Sequence, residues 1–144
     1  VILAGRRIND GMGTYVAGLM IKAMLKRRIQ VNGARILVLG LTFKENCPDL
    51  RNTRVLDVIS ELRNYSAVVD VHDPWADAEE AQREYGLDLT KAPAGATYDG
   101  IILAVSHEAY RQAGPETLRS YGLPGHVFFD LKGVFAAEAS DLRL

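Results

Sequence analysis

The chain has 144 residues, a formal net charge of −1 and 48% hydrophobic residues, which is typical of one globular domain and excludes a disordered chain. This charge balance argues against nucleic acid or an anionic membrane as a partner, and no apolar run approaches the ~20 residues of a membrane span. The single cysteine, Cys47, excludes an internal disulfide and fits a reducing cytoplasm. We interpret the start at Val1, inside a helical pattern, as a fragment boundary.

The first predicted element is a long amphipathic helix from Ile8 to about Ile29. Basic residues crowd its end, as suits a helix C-terminus, and Asn32-Gly33 then interrupts the pattern. A helix of this kind at the edge of a chain needs a packing partner, either a second subunit or a neighbouring domain. Its apolar residues recur at helical spacing: Ile8, Met12, Val16, Leu19, Met20, Ala23, Met24 and Leu25.

Predicted strands alternate with helices along the rest of the chain. Residues 35–41 form a continuous apolar run, which is typical of a strand buried on both faces. This alternation predicts an α/β fold, a three-layer Rossmann-like parallel sheet with helices on both faces, preceded by the long helix. The other strands are expected at 68–73, 98–105 and 126–130. Thr53 can cap a helix that follows it, and further helices are expected at 76–85, at 107–112 and at 116–121.

The loop after the first strand is the most informative for function. Ligands of open parallel sheets bind beyond the carboxyl ends of the strands. This loop places Lys44, Arg51 and Arg54 around a helix N-terminus, an arrangement suited to a phosphate or pyrophosphate. The alternative is that Lys44 and Arg51 are solvated charges paired with Glu45 and Asp49.

The usual dinucleotide signature is absent from this loop. A G-x-G-x-x-G turn should follow the strand directly, but Gly40 is followed by Leu41, Thr42 and Phe43. Without those glycines the backbone cannot approach a pyrophosphate closely. We therefore expect that this domain does not bind NAD in the ordinary manner.

Cysteine and histidine predict neither a nucleophile nor a metal site. Cys47 has no histidine nearby in sequence, so we interpret it as an incidental loop residue and expect no catalytic residue in this chain. His72, His107 and His126 lack metal-ligand spacing, which predicts that no metal is bound.

Asp73-Pro74-Trp75 follow the second strand. An aspartate in this position can hold a ribose hydroxyl, but capping of the turn is the favoured interpretation. For Trp75, packing at the end of the strand is favoured over a role as a stacking platform.

The motifs together resemble one family. Leu39–Lys44 followed by Asp49–Thr53 is similar to the G-x-x-F-K…D-x-R-x-S/T signature of the UDP-glucose/GDP-mannose dehydrogenase family, in its C-terminal UDP-binding domain. Further similar segments are Ile8-Asn9-Asp10, Asp73-Pro74 and Phe129-Asp130…Gly133. Asn46–Asp49 and Asp130–Gly133 resemble the branch that oxidises UDP-N-acetylhexosamines for capsule, Vi-antigen and O-antigen biosynthesis.

The resemblance implies an NAD-dependent nucleotide-sugar 6-dehydrogenase of the cytoplasm. Such an enzyme oxidises the sugar C6 alcohol to a carboxylate with two NAD⁺, through a cysteine in a G-G-x-C motif. Neither that motif nor the N-terminal NAD-binding domain is present in this sequence. The chain is therefore expected to bind a UDP-sugar and to be inactive alone, with NAD held mainly by the missing domain.

The resemblance also assigns residues. Phe43 and Lys44 match positions that contact UDP, and Arg51 matches an arginine that reaches NAD. Lys132 stands near the position of a substrate-binding arginine, and either Arg6 or Arg7 would contact the substrate of the neighbouring subunit. Residues 1–31 would belong to the central dimerisation helix of a homodimer, and 32–144 would form the UDP-sugar-binding domain.

Two other functions remain open at this point. The same basic loop would suit a non-enzymatic nucleotide-sugar binding or regulatory module. Alternatively, the chain is a structural α/β domain whose helix mediates oligomerisation.

Overall fold

The computed structural model describes the backbone of residues 2–144 and the side chains of residues 11–144. All strand pairs in this part of the chain are parallel, and the strand order is β2-β1-β3-β4-β5. The predicted α/β fold is thus confirmed. The elements are α1 (Ile2–Lys26), β1 (Arg35–Leu39), α2 (Val55–Asn64), β2 (Val68–His72), α3 (Ala78–Tyr85), β3 (Tyr98–Leu103), α4 (Glu108–Arg119), β4 (Gly122–Asp130), a 3-10 helix (Ala137–Ala139) and β5 (Leu142–Arg143).

The sheet is covered on both faces. Along β1, Ile36 and Val38 point into the larger core, which also contains residues of α1, α2 and α3. Leu37 and Leu39 point into a second core on the side of α4. Because side chains alternate across a strand, the continuous apolar run of β1 supplies both cores.

α1 ends at Lys26, three residues before the predicted end near Ile29. Arg28 adopts a left-handed conformation with φ 62°. The amide of Ile29 donates to the carbonyl of Met24 (3.0 Å), and that of Arg28 donates to Leu25 (3.0 Å). This pattern is a Schellman motif, so the helix ends at an arginine instead of the glycine that usually takes this position.

α1 packs closely against α2 at a glycine. A Cβ on Gly13 would overlap the Asp57 side chain and lie 2.8 Å from the backbone carbonyl carbon of Asp57. Farther along the same face, Val16, Met20 and Met24 are buried in the larger core. The C-terminal half of α1 therefore packs onto the sheet of its own chain, while the division of the chain at residue 31 stays a prediction.

Substitution of Gly13 tests this close contact. We expect Gly13→Ala to lower the free energy of unfolding by about 1–3 kcal/mol, because the added methyl group forces two packed backbones apart. Urea denaturation measures the change. The matched control is Gly18→Ala in the same helix, where no heavy atom lies within 4 Å of the added Cβ; it should be stabilising by up to ~1 kcal/mol. Stabilisation by both substitutions would contradict the contact.

The C-terminal region differs most from the sequence prediction. β4 begins at Gly122, four residues before the predicted start, and its register against β3 shifts between Tyr98 and Gly100. β5 was not predicted; it pairs with the end of β4. The two predicted helices at 107–112 and 116–121 are the halves of α4, which bends at Gly114 (φ 85°, ψ 161°) before Pro115.

Two arginines hold this C-terminal region in place. Asp141 accepts hydrogen bonds from Arg27, directly after α1 (2.6 Å), and from Arg119 at the end of α4 (2.8 Å). It also accepts the backbone N–H of Phe128 (2.8 Å). Burial alone would raise the pKa of Asp141, but the Phe128 N–H and the two guanidinium groups lower it. β5 is therefore fixed by long-range charge pairing.

None of the helices that the structure describes is both long enough and apolar enough to cross a membrane.

Candidate nucleotide-binding site

A cavity of about 340 Å³ lies at the carboxyl edge of the sheet. This volume is within the range of pockets that hold small-molecule ligands. The residues after β1, β3 and β4 contribute to its wall, which is where ligands of parallel sheets bind. We call it the carboxyl-edge cavity; its apolar lining consists of Met12, Gly13, Val16, Val55, Val58, Ala104, Val105, Leu131 and Leu144.

Basic residues surround this apolar lining. Lys44, Arg54 and Lys132 all line the cavity, and Glu45 is the acidic residue among them. Within the described part of the chain, neither lysine forms an ion pair. The first turn of α2 also lines the cavity and adds the partial positive charge of a helix N-terminus. The cavity thus combines apolar surface with positive charge, as a nucleotide requires.

Phe43 is the exposed aromatic residue of this site, with 55% of its surface accessible. Its backbone N–H donates to the carbonyl of Asp49 (2.8 Å), which closes the loop between β1 and α2 on itself. Two further bonds fix the same loop: Thr53 Oγ1 donates to the carbonyl of Leu41 (2.5 Å), and the Tyr85 hydroxyl donates to Leu50 (2.6 Å). The exposed ring is therefore held on an ordered backbone.

The predicted site residues fall into three groups. The structure brings Phe43, Lys44 and Lys132 together around the cavity. Arg51 does not line it, because its side chain extends into solvent and pairs with Asp49 (Nε–Oδ1 3.1 Å). Each partner stabilises the charged form of the other, which lowers the pKa of Asp49 and raises that of Arg51. The side chains of Arg6 and Arg7, like those of Ile8, Asn9 and Asp10, lie outside the described part of the chain.

Asp73 has the turn-capping role favoured by the sequence. Its buried carboxylate accepts the backbone N–H groups of Leu41 (2.6 Å) and Thr42 (3.0 Å), and those of Trp75 (2.7 Å) and Ala76 (3.1 Å). Burial opposes its charged form, but the hydrogen bond from His107 and those from the backbone lower the pKa of Asp73 to about 2. Asp73 thus joins the end of β2 to the loop after β1.

Thr53 acts at the start of α2 as the sequence predicts. Its hydroxyl accepts the N–H of Val55 (3.3 Å), although the position directly before the helix belongs to Arg54. The hydroxyl also donates to the β1 side of the loop, so the cap and the loop are fixed by one side chain.

The remaining candidates do not form a second site among the described residues. Cys47 is half-buried, and no group of three or more histidine, cysteine, aspartate or glutamate side chains is arranged to hold a metal ion. Trp75 remains 44% exposed, with its ring stacked at 6.4 Å (between centroids) from that of His107. His72 bonds to the Tyr110 hydroxyl (2.8 Å).

Sequence reasoning did not identify the floor of the cavity. Met12, Gly13 and Val16 of α1 line it together with Val55 and Val58 of α2. In the sequence these residues are ordinary members of apolar helix faces. The only available signal was weak. Gly13 lies on the buried face of a long helix, and a glycine there permits close approach of another backbone.

Comparison with known proteins agrees with this geometry. The UDP-glucose/GDP-mannose dehydrogenase family, UDP binding domain, matches residues 37–137. The chain is 56% identical over all 144 residues to a UDP-N-acetyl-D-glucosamine 6-dehydrogenase of Pseudomonas aeruginosa, and 54% identical to one of Salmonella typhi. It covers 34% of each of these proteins, so it spans about a third of the length of the curated relatives that it matches.

A solved structure supports the fold independently. The NDP-N-acetyl-D-galactosaminuronic acid dehydrogenase of Methanosarcina mazei superposes with a TM-score of 0.79 at 20% identity, over 95% of this chain and 28% of that one. This likeness shows the fold, and the sequence similarity shows the family. The chain belongs to the UDP-glucose/GDP-mannose dehydrogenase family and comprises its UDP-binding domain.

Proposed function

We propose that this chain is the substrate-binding part of an NAD-dependent nucleotide-sugar 6-dehydrogenase, which oxidises the C6 alcohol of a UDP-sugar to a carboxylate for polysaccharide biosynthesis. One observation carries the proposal: an apolar cavity at the carboxyl edge of the sheet is rimmed by Lys44, Arg54 and Lys132. The names of its relatives in Pseudomonas aeruginosa and Salmonella typhi support UDP-N-acetylglucosamine as the sugar nucleotide.

The cavity suggests a division of roles in binding UDP. The apolar lining and the exposed ring of Phe43 would contact the uracil and ribose. Lys44 and the start of α2 would face the diphosphate, since an ammonium group and helix N–H groups both favour anions. Lys132 enters the cavity from the β4 side and would contact the opposite side of the nucleotide.

NAD would be held mainly outside this chain. The residues present do not fit a dinucleotide turn, because Leu41, Thr42 and Phe43 follow Gly40 where a Rossmann turn has further glycines. Gly40 itself is enclosed: a Cβ there would lie 2.6 Å from that of Val105. The exposed guanidinium of Arg51 would reach a dinucleotide bound by another domain. We assign no chemical step to this chain and no catalytic residue in it.

α1 would take part in a homodimer of the full enzyme in the cytoplasm. The buried face of its C-terminal half packs on the sheet, but Tyr15 and Leu25, which do not line the cavity, remain exposed large hydrophobic residues. Exposed apolar surface on a helix favours contact with a second protein. In such a dimer either Arg6 or Arg7 would contact the substrate of the neighbouring subunit.

Calorimetric titration of the chain with UDP, UDP-N-acetylglucosamine and NAD⁺ tests the proposal. We expect both uridine nucleotides to bind, because the cavity contains the proposed contacts to UDP, and NAD⁺ not to bind measurably. Binding of NAD⁺ without binding of UDP would contradict the proposed division between domains. If the full protein binds UDP-N-acetylglucosamine but forms no NADH with it, a non-enzymatic binding module becomes the better description.

A further inference from the structure

A buried polar pair lies behind the loop that lines the carboxyl-edge cavity. His107, directly before α4, is fully buried, and its Nε2 lies 2.9 Å from Oδ2 of the buried Asp73. A polar pair removed from water in this way must have its hydrogen bonds satisfied internally. Those bonds lead to the segment Leu41–Asn46, which we call the nucleotide loop.

His107 contacts the far end of the nucleotide loop directly. Its Nδ1 lies 2.9 Å from the backbone nitrogen of Asn46. A backbone N–H can only donate, so Nδ1 accepts, and the ring proton is on Nε2. The Asn46 side chain extends the connection, because its Oδ1 accepts the N–H of Glu108 in the first turn of α4 (2.9 Å).

Asp73 contacts the near end of the same loop. The oxygen that accepts from His107 Nε2 also accepts the N–H groups of Leu41 and Thr42. Thr42 Oγ1 lies 3.2 Å from His107 Nε2 and donates to the carbonyl of Lys44 (3.0 Å). His107 is therefore connected to the loop at three points. Asp73 links it to the start of the loop, its own Nδ1 contacts the end, and the Thr42 hydroxyl links it to Lys44.

We propose that His107 is a positioning residue for the nucleotide site: through its two ring nitrogens it fixes both ends of the nucleotide loop and thereby orients Phe43 and Lys44. The choice of UDP as the ligand rests on the proposed function, whereas the contacts of His107 are independent of it. Phe43 and Lys44 are exposed and make no side-chain hydrogen bond in the described part of the chain, so the backbone beneath them sets their positions.

Three substitutions separate the two bonds of the imidazole. His107→Leu removes both. His107→Asn retains an acceptor near the position of Nδ1 for the Asn46 N–H, and His107→Gln retains a donor near the position of Nε2 for Asp73. We expect His107→Leu to weaken UDP binding by about tenfold or more in calorimetry, and the two polar variants to recover part of that loss.

The control for loss of stability is Leu118→Ala. Leu118 is buried on α4 in the second core, at the amino edge of the sheet and away from the loop. It should lower the thermal midpoint without changing UDP affinity more than about twofold. Unchanged UDP affinity in His107→Leu, or an equal loss in Leu118→Ala, would overturn the proposal. If His107→Leu does not fold, His107→Asn and His107→Gln supply the same comparison.

Amide hydrogen exchange provides a readout that needs no ligand. Exchange of the Asn46 amide should be about tenfold faster or more in His107→Leu, near the wild-type rate in His107→Asn, and unchanged in Leu118→Ala. If UDP does not bind the wild type but this exchange pattern holds, the proposed function fails and the positioning arrangement stands. If UDP binds but exchange at Asn46 does not change, the positioning role of His107 fails alone.

Discussion

Replacement of Asp73 by alanine is expected to lower the free energy of unfolding by about 3–5 kcal/mol, because several buried donors then lose their acceptor. Four backbone N–H groups and His107 Nε2 converge on this carboxylate. Urea denaturation at neutral pH measures the change. The exposed Asp88 supplies the control, since Asp88→Ala should change stability by no more than about 0.5 kcal/mol.

The same variant should also respond differently to acid. Because the pKa of Asp73 is lowered from 3.8 to about 2 in the folded protein, its ionised form stabilises the fold above about pH 4. That contribution, roughly 2 kcal/mol, is lost as the pH falls from about 4 towards 2. Asp73→Ala should therefore lose less stability than the wild type over this range. An equal acid dependence in both proteins, or a neutral-pH cost below about 1 kcal/mol, would contradict the assigned role.

Replacement of Lys44 by alanine is expected to weaken UDP binding by about 10–100-fold, the effect of losing one charge-assisted hydrogen bond to a phosphate. Lys44 is exposed and lines the carboxyl-edge cavity, so its loss should leave the fold intact. Calorimetric titration with UDP measures the affinity, and thermal unfolding should show a midpoint close to that of the wild type.

Lys26→Ala is the matched control for Lys44→Ala, because it removes the same charge at the end of α1 that lies farther from the cavity. Lys26 lies ten residues beyond Val16, the last residue of α1 to line the cavity, which corresponds to ~15 Å along the helix. UDP affinity should therefore be unchanged in Lys26→Ala. A similar loss in both variants would mean that net charge, and not a specific contact, governs binding.

Local patterns were sufficient to predict much of the fold. The apolar run of β1, the capping threonine before α2 and the Gly114-Pro115 interruption of α4 are all signals carried by neighbouring residues. They locate the ends of elements because backbone preferences act over a few positions. The loop after β1 was predictable as a binding loop for a related reason: its place after a buried strand determines at which edge of the sheet it lies.

The features that sequence reasoning missed depend on contacts between distant residues. β5 has only two residues, and its position depends on Asp141 meeting Arg27 and Arg119. The early end of α1 requires an arginine in a left-handed conformation, for which sequence offers no clear sign. The sequence excludes His107 as a metal ligand but indicates no other role for it, because nothing in its neighbourhood shows that the backbone N–H of Asn46, 61 positions away, donates to its ring.

The measurement that tests the central claim most directly is a two-dimensional NMR titration of the ¹⁵N-labelled chain with UDP. The structure contains a second cavity, of about 480 Å³, at the amino edge of the sheet near Ala34 and Asp99, so the binding site can be located by comparison. We predict that the largest amide shifts occur in 42–45, 53–58 and 131–133, around the carboxyl-edge cavity. Shifts concentrated around Ala34 and Asp99, with the nucleotide loop unaffected, would contradict the assignment of the nucleotide site.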